Sequence, residues 1–257
     1  MSIEVGISSF GRGEMLLRTV ATSDVGRLLV NVNDADLSVA RQVQAAGVRT
    51  VVAAEPQLFW QGMVALVENG SAEWLLITSD EDAPLPAALD DLERFADVKR
   101  AGVVATPVWA DRSLVKPSPP SWAGRLGEDG PLHPKHFHDL SGYISGTLLH
   151  RPTAADQLDL LTRLAPDNDY VAIYAVPALV ALIGRVRPFH VYPQQVVAKG
   201  PTLPGQQDVR GSDYFRPEAR ARQKQHLTGF IGTVRDVDPA YAAQLDEAQV
   251  YESRGWA

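Results

Sequence analysis

The chain contains no cysteine. Disulfide bridges, thiolate nucleophiles and cysteine-held zinc are therefore excluded. A surplus of positive charge is also missing: 24 Lys and Arg stand against 31 Asp and Glu, a formal net charge of −7. No overall basic field draws the protein to nucleic acid or to an anionic membrane. No window approaches the roughly 20 apolar residues that a membrane-spanning helix needs. The longest apolar stretch, 171–183, is interrupted by Pro177 and reads as a core helix. The first residues run directly into an apolar strand, without the basic region and apolar run of a signal peptide. These absences predict a cytoplasmic protein. What is present, 257 residues with 45% hydrophobic, suffices for one large domain or one domain with a tail.

Apolar runs at 3–8, 27–32, 48–53, 74–78 and 102–108 read as strands. Helical periodicity fills the intervals at 14–22, 37–46, 58–68 and 85–98. This alternation predicts an α/β fold of right-handed βαβ units, with a mostly parallel central sheet flanked by helices. The rhythm breaks over 109–139, where Pro117, Pro119, Pro120, Gly124, Gly127, Gly130, Pro131 and Pro134 crowd together. A loop of that length in a compact domain suggests a flexible lid. A strand at 142–150, helices at 152–164 and 170–183, and a late strand at 186–192 follow. The expected division is a domain over 1–204 and a C-terminal helical tail over 205–257, packing on the domain or extending from it, with helices near 216–227 and 239–252.

Open α/β sheets bind ligands beyond the carboxyl ends of their strands, and four polar clusters fall there. Ser8-Ser9-Phe10-Gly11-Arg12 follows strand one. It lacks the spacing of a dinucleotide fingerprint and the lysine of a P-loop; it is a plain turn or one that faces a nucleobase. Asp34-Ala35-Asp36 follows strand two; Asp36 suits the N-cap of the next helix and Asp34 a ligand contact. Asp80-Glu81-Asp82 follows the buried run 74–78. Two close carboxylates there suit a hard cation, which can hold a diphosphate; the plainer alternative is a helix cap. Asp167-Asn168-Asp169 opens the most hydrophobic helix, as a cap or as a general base. His190 ends the late strand and is either a third cation ligand or a satisfied core histidine. His133, His136 and His138 read as loop residues. Six basic residues from Lys199 to Lys224 make a local positive zone, a solvated face or a diphosphate contact.

Taken in order, these clusters resemble the GT-A fold glycosyltransferases, in particular the inverting family 2-like nucleotide-diphospho-sugar transferases. Ile7-Ser8-Ser9-Phe10-Gly11-Arg12 looks like that family's first turn, Asp34 like its base-contacting aspartate, and Asp80-Glu81-Asp82 like its Asp-x-Asp motif. Residues 141–151 resemble its glycine-rich strand leading to an arginine, and Asp167-Asn168-Asp169 its acidic pair. The resemblance covers roughly 3–200. Two departures stand out: the usual Glu-Asp pair is Asp-Asn-Asp, and Leu58-Phe59-Trp60-Gln61-Gly62 replaces an Ala-Arg-Asn stretch.

The resemblance implies sugar transfer from a nucleoside-diphosphate donor to an acceptor hydroxyl, with inversion. Ser8, Phe10, Arg12, Asp34, Asp80, Glu81, Asp82 and Lys199 would hold the nucleotide sugar. Asp80 and Asp82 would place a divalent cation, Mn²⁺ or Mg²⁺, with His190 as its candidate third ligand. Asp167 or Asp169 would be the catalytic base. A glycan, a small metabolite and a modified nucleobase are all open as acceptors, and the tail could pair between subunits. Alternatives are a retaining transferase on the same fold, a nucleotidyltransferase, and a non-catalytic nucleotide- or carbohydrate-binding protein.

Overall fold

The computed structural model describes residues 3–33, 37–110, 133–137, 141–200 and 217–245. The N-terminal half alternates as read: β1 (Ile3–Ser9), α1 (Gly13–Ala21), β2 (Leu28–Val32), α2 (Leu37–Ala45), β3 (Arg49–Val52), α3 (Phe59–Asn69) and β4 (Trp74–Thr78). Then come β5 (Ala83–Pro84), α4 (Pro86–Val98), β6 (Val103–Ala105) and β7 (Val108–Ala110). β8 (Thr147–His150), α5 (Arg151–Leu164), α6 (Asp169–Ile173), α7 (Ala175–Gly184), β9 (Phe189–Val191) and β10 (Val197–Lys199) follow. The last described elements are α8 (Pro217–Val237) and α9 (Pro239–Ala242).

Seven strands form one sheet in the order β3-β2-β1-β4-β8-β6-β9. Only β8 runs against its neighbours β4 and β6; the other pairs are parallel. Side chains alternate between two cores. Trp74 and Leu76 join Ile3, Val5 and Ile7 on one face, while Leu75 and Ile77 join α3 and α7 residues on the other. Parallel strands are covered on both faces, which is why these runs read as continuously apolar.

Three departures from the expected elements have physical causes. The single strand expected at 102–108 divides into β6 and β7, with Pro107, which lacks an N–H, between them. β7 then leaves the main sheet and joins β10 and β5 in a three-stranded one, order β5-β10-β7. The hydrophobic helix expected at 170–183 divides at Tyr174, which has φ −113° and ψ 47°. Pro177 cannot donate to the Ile173 carbonyl one turn earlier, and its ring would crowd that carbonyl. The expected helix near 216–227 instead runs to Val237. Leu227, Phe230, Ile231 and Val234 are buried in the larger core, and Phe230 stacks on Tyr170 at 5.0 Å between ring centres. That burial outweighs the cost of Gly229 and Gly232 inside the helix. The described part of 205–257 therefore packs on the sheet domain.

Candidate active site

The site starts at the sheet's switch point. β1 lies between β2 and β4, so chain order reverses there, and open α/β sheets bind ligands beyond the carboxyl ends of the strands at such a point. Three groups, one each from β1, the turn after it and α1, converge on Asp80, just beyond β4. Ser9 Oγ donates to Asp80 Oδ2 at 2.9 Å, and Thr19 Oγ1 donates to the Asp80 carbonyl at 2.8 Å. Arg12 Nη1 stands 3.4 Å from Asp80 Oδ1 and 3.9 Å from Glu81 Oε2. Ser8, one residue earlier, faces α3 instead: a Cβ on Gly62 would sit 2.4 Å from its Oγ. The period of two in a strand sends Ser8 and Ser9 to opposite faces. Phe10 projects outward, 64% exposed.

Asp82 faces a different set of partners. It is fully buried. Its Oδ2 accepts hydroxyl bonds from Ser79 at 2.9 Å, Tyr143 at 2.7 Å and Ser145 at 2.5 Å. Its Oδ1 accepts the Gly200 N–H at 3.1 Å. The small sheet makes this possible. β10 pairs antiparallel with β5, directly after the acidic triplet, so its end delivers Lys199 and Gly200 to the triplet. A Cβ on Gly200 would fall 1.8 Å from the Glu81 carbonyl oxygen, so only glycine permits this approach. Lys199 Nζ lies 5.4 Å from the centre of the Tyr143 ring, a cation–π distance.

Burial dominates the electrostatics. It raises the Asp80 carboxyl above its usual range, with Ser9 and Arg12 opposing it incompletely. Burial also raises Glu81, helped by the neighbouring Asp82 charge and opposed by Arg12 and Lys199. The Tyr143 phenol is pushed up by burial and by Asp82, so it stays a hydrogen-bond donor.

Tyr143 ties this cluster to a cleft. Its neighbours Gly142 and Ile144 line a cleft of about 470 Å³ together with Phe59, Ala172, Ile173, Tyr174 and Pro177. Ala172 and Ile173 belong to α6, the helix that Asp169 opens. Residues three and four apart share a helix face, so Asp169 stands one turn along the cleft-lining face. The α6 cap is Asn168, whose side chain accepts from the Tyr170 N–H at 3.0 Å. Asp169 is thus spared the capping role expected of the triplet. Asp169 Oδ2 lies 3.3 Å from His226 Nε2 on α8. Asp167 ends the short turn Ala165–Asp167 and is exposed.

The structure thus brings together Arg12, Asp80, Glu81, Asp82 and Lys199, and sets Asp169 on the helix that borders the adjoining cleft. Ser8 lies apart, and Asp34 and Asp36 fall outside the described residues. His190 is buried in β9, edge-on to Phe95 at 6.3 Å between ring centres. Among the described residues no three His, Asp or Glu side chains gather so as to hold a metal, so His190 does not complete a ligand set with Asp80 and Asp82. The two aspartates also diverge, one towards α1 and one towards 143–145 and Gly200. A hard cation requires several open oxygen ligands. As arranged, this donor set does not fit one, because Asp82 meets four donors and Asp80 faces a hydroxyl and a guanidinium.

Seven participants carried no role in the sequence: Ser9, Thr19, Ser79, Tyr143, Ser145, Gly200 and His226. Strand alternation alone separates Ser9 from Ser8. Tyr143 and Ser145 lie two apart in the stretch already singled out. Gly200 and His226 carry no local signal, because long-range packing brings them in.

No family model and no curated protein matches the chain. Solved structures do. S. aureus TarS 1-349 in complex with UDP-GlcNAc superposes with a TM-score of 0.62 at 13% identity, covering 98% of this chain and 73% of that one. TarS 1-349 without a named ligand gives 0.59 at 12%, over 98% and 72%. A mannosyltransferase from Pyrobaculum calidifontis, in complex with GDP-Man and Mn²⁺, gives 0.57 at 13%, over 97% and 69%. With the strand-order reversal between β1 and β4, these superpositions give the chain the fold of the GT-A glycosyltransferases.

Proposed function

We propose that the protein is a glycosyltransferase that moves a sugar from a nucleoside diphosphate to an acceptor hydroxyl, with inversion at the anomeric carbon. One observation carries this reading. Tyr143 bonds Asp82 at the switch point, while the residues on either side of it line a cleft bordered by the helix that Asp169 opens. Charged groups suited to the leaving group and a carboxylate suited to proton abstraction are thereby both linked, through Tyr143 and α6, to the same cleft.

Arg12 and Lys199 flank the acidic triplet and suit the charge that develops on the departing diphosphate. Asp169 is exposed and uncommitted to capping, so it suits the role of general base toward the acceptor hydroxyl. Direct displacement with that base inverts the configuration. The cleft walls Phe59, Ile144, Ile173 and Tyr174 offer apolar faces to an acceptor and displace water that would otherwise hydrolyse the donor. Solved structures of the same fold are named as complexes with UDP-GlcNAc and with GDP-Man, which supports a nucleotide-sugar donor.

The test is a panel of UDP-, GDP-, CDP-, ADP- and dTDP-sugars assayed for release of the nucleoside diphosphate. One donor class should turn over, and Asp169→Asn should lower turnover by about 10²-fold or more while leaving donor binding intact. Nuclear magnetic resonance of the product should show the inverted anomer; a retained anomer would refute the displacement. Binding of a donor with no turnover in any acceptor mixture, and no effect of Asp169→Asn, would make the protein a carbohydrate- or nucleotide-binding module.

A further inference from the structure

The acidic triplet at the β4 end carries its own cations. We propose that the diphosphate of the donor is held by Arg12 and Lys199 without a divalent metal, and that Asp82 is the clasp that positions Lys199 and Tyr143. This inference rests on the nucleotide-sugar reading and refines how that site handles charge.

Asp82 supplies the first reason. A carboxylate oxygen offers about two lone-pair directions; three hydroxyls crowd Asp82 Oδ2, and the Gly200 N–H takes one direction of Oδ1. The side chain is fully buried. Ligation of a cation through Oδ2 would require breaking its hydroxyl bonds, and ligation through Oδ1 would crowd the Gly200 N–H; these bonds join three separate segments: the triplet's own turn, 143–145, and the end of β10. Each hydroxyl and amide released would lose its partner in a buried setting, which is costly.

Asp80 supplies the second. It is 4% exposed, and Ser9 holds its Oδ2. Arg12 stands against its Oδ1 and reaches towards Glu81, so a cation at that oxygen would meet the guanidinium charge. The guanidinium has five N–H donors in a planar fork that matches phosphate oxygens. Both of these ion pairs run through Nη1, and the side chain is 42% exposed, so the guanidinium is open to an incoming phosphate.

Lys199 completes the pair from the other side. It is placed by the β10–β5 and β10–β7 ladders and by Gly200's bond to Asp82, and it interacts with Glu81 and the Tyr143 ring. Arg12 and Lys199 therefore bracket the triplet, one from α1 and one from β10.

Calorimetric titration of the full chain with UDP, GDP, CDP, ADP and dTDP, each in EDTA and in millimolar MnCl₂, decides the matter. At least one diphosphate should bind in EDTA with a Kd within about threefold of its value in Mn²⁺. Arg12→Ala and Lys199→Ala should each weaken that binding tenfold or more, and Arg12→Lys should restore part of it. Circular dichroism and melting temperature confirm that the variants fold. Binding that appears only with Mn²⁺, or tightens tenfold with it, overturns the metal-free site but leaves the nucleotide-sugar reading standing. Unchanged binding in both alanine variants overturns the assignment of the two cations. No binding of any diphosphate in either buffer overturns the parent reading as well.

Discussion

Asp169 Oδ2 lies 3.3 Å from Nε2 of His226, a residue 57 positions away on α8. The two meet because α8 packs on α6 through Phe230 and Tyr170, and a bond from Asn168 Nδ2 to Thr233 Oγ1 at 3.5 Å reinforces the same contact. α8 thus holds the candidate base.

Loss of the base and loss of its support should look different. Asp169→Asn should lower kcat by about 10²–10⁴-fold, the usual worth of general-base catalysis, with donor Kd unchanged. His226→Ala should lower kcat several-fold and leave donor Kd alone. His226→Gln, which can still donate a hydrogen bond, should recover part of the loss. Asp167→Asn should stay near wild type. Steady-state kinetics alongside donor titrations check all four, and equal losses in the two aspartate variants would reject the choice of Asp169.

Asp82→Ala should be among the most damaging single changes. It leaves three hydroxyls and one N–H around a buried void. Breaking such a network costs roughly 3–5 kcal/mol, readable by urea denaturation. Asp82→Asn should cost less, because the amide oxygen keeps part of the set while the NH₂ faces donors.

Glycine substitutions should divide by position. Gly200→Ala drives a Cβ to 1.8 Å from the Glu81 carbonyl oxygen and should destabilise by about 1–3 kcal/mol through backbone displacement, with loss of diphosphate binding. Gly229→Ala and Gly232→Ala in α8 meet nothing within 4 Å and should each stabilise by about 0.5–1 kcal/mol. Thermal melts of the three variants check this. Destabilisation at Gly229 or Gly232 would mean that the helix is not continuous there.

The buried carboxyls give a pH signature. The Asp80 carboxyl is raised in the folded state above its ordinary value of 3.8. Between that value and the raised one, the folded protein binds more protons than the unfolded chain, so this group's contribution to stability falls as pH rises. Above the window, ionised Asp80 costs stability. Asp80→Asn should therefore be more stable than wild type at neutral pH, and the gain should shrink as the pH falls towards 3.8. Glu81→Gln should follow the same direction. Chemical denaturation across pH 4–8 checks the sign. A gain that grows towards acid would contradict it.

The local sequence determined the elements of the N-terminal half, because their signals are short-ranged. Apolar runs such as 74–78 and helical spacing such as 86–98 depend on burial patterns that each segment carries by itself. The strand ends, and with them Arg12, Asp80 and Asp82, were placed by the same logic, since α/β sheets gather ligands at carboxyl ends. Only tertiary structure decided what those residues do to one another. Asp80 and Asp82, two positions apart, turn to different neighbours because Ser9 and Arg12 lie on one side and Tyr143, Ser145 and Gly200 on the other. Those partners come from distant segments, and β10 reaches the triplet through a three-stranded sheet whose members are two or three residues long. Strands that short have no period to detect. The extension of α8 to Val237 and the meeting of His226 with Asp169 depend likewise on burying one helix face against a core that does not exist until the rest of the chain has folded.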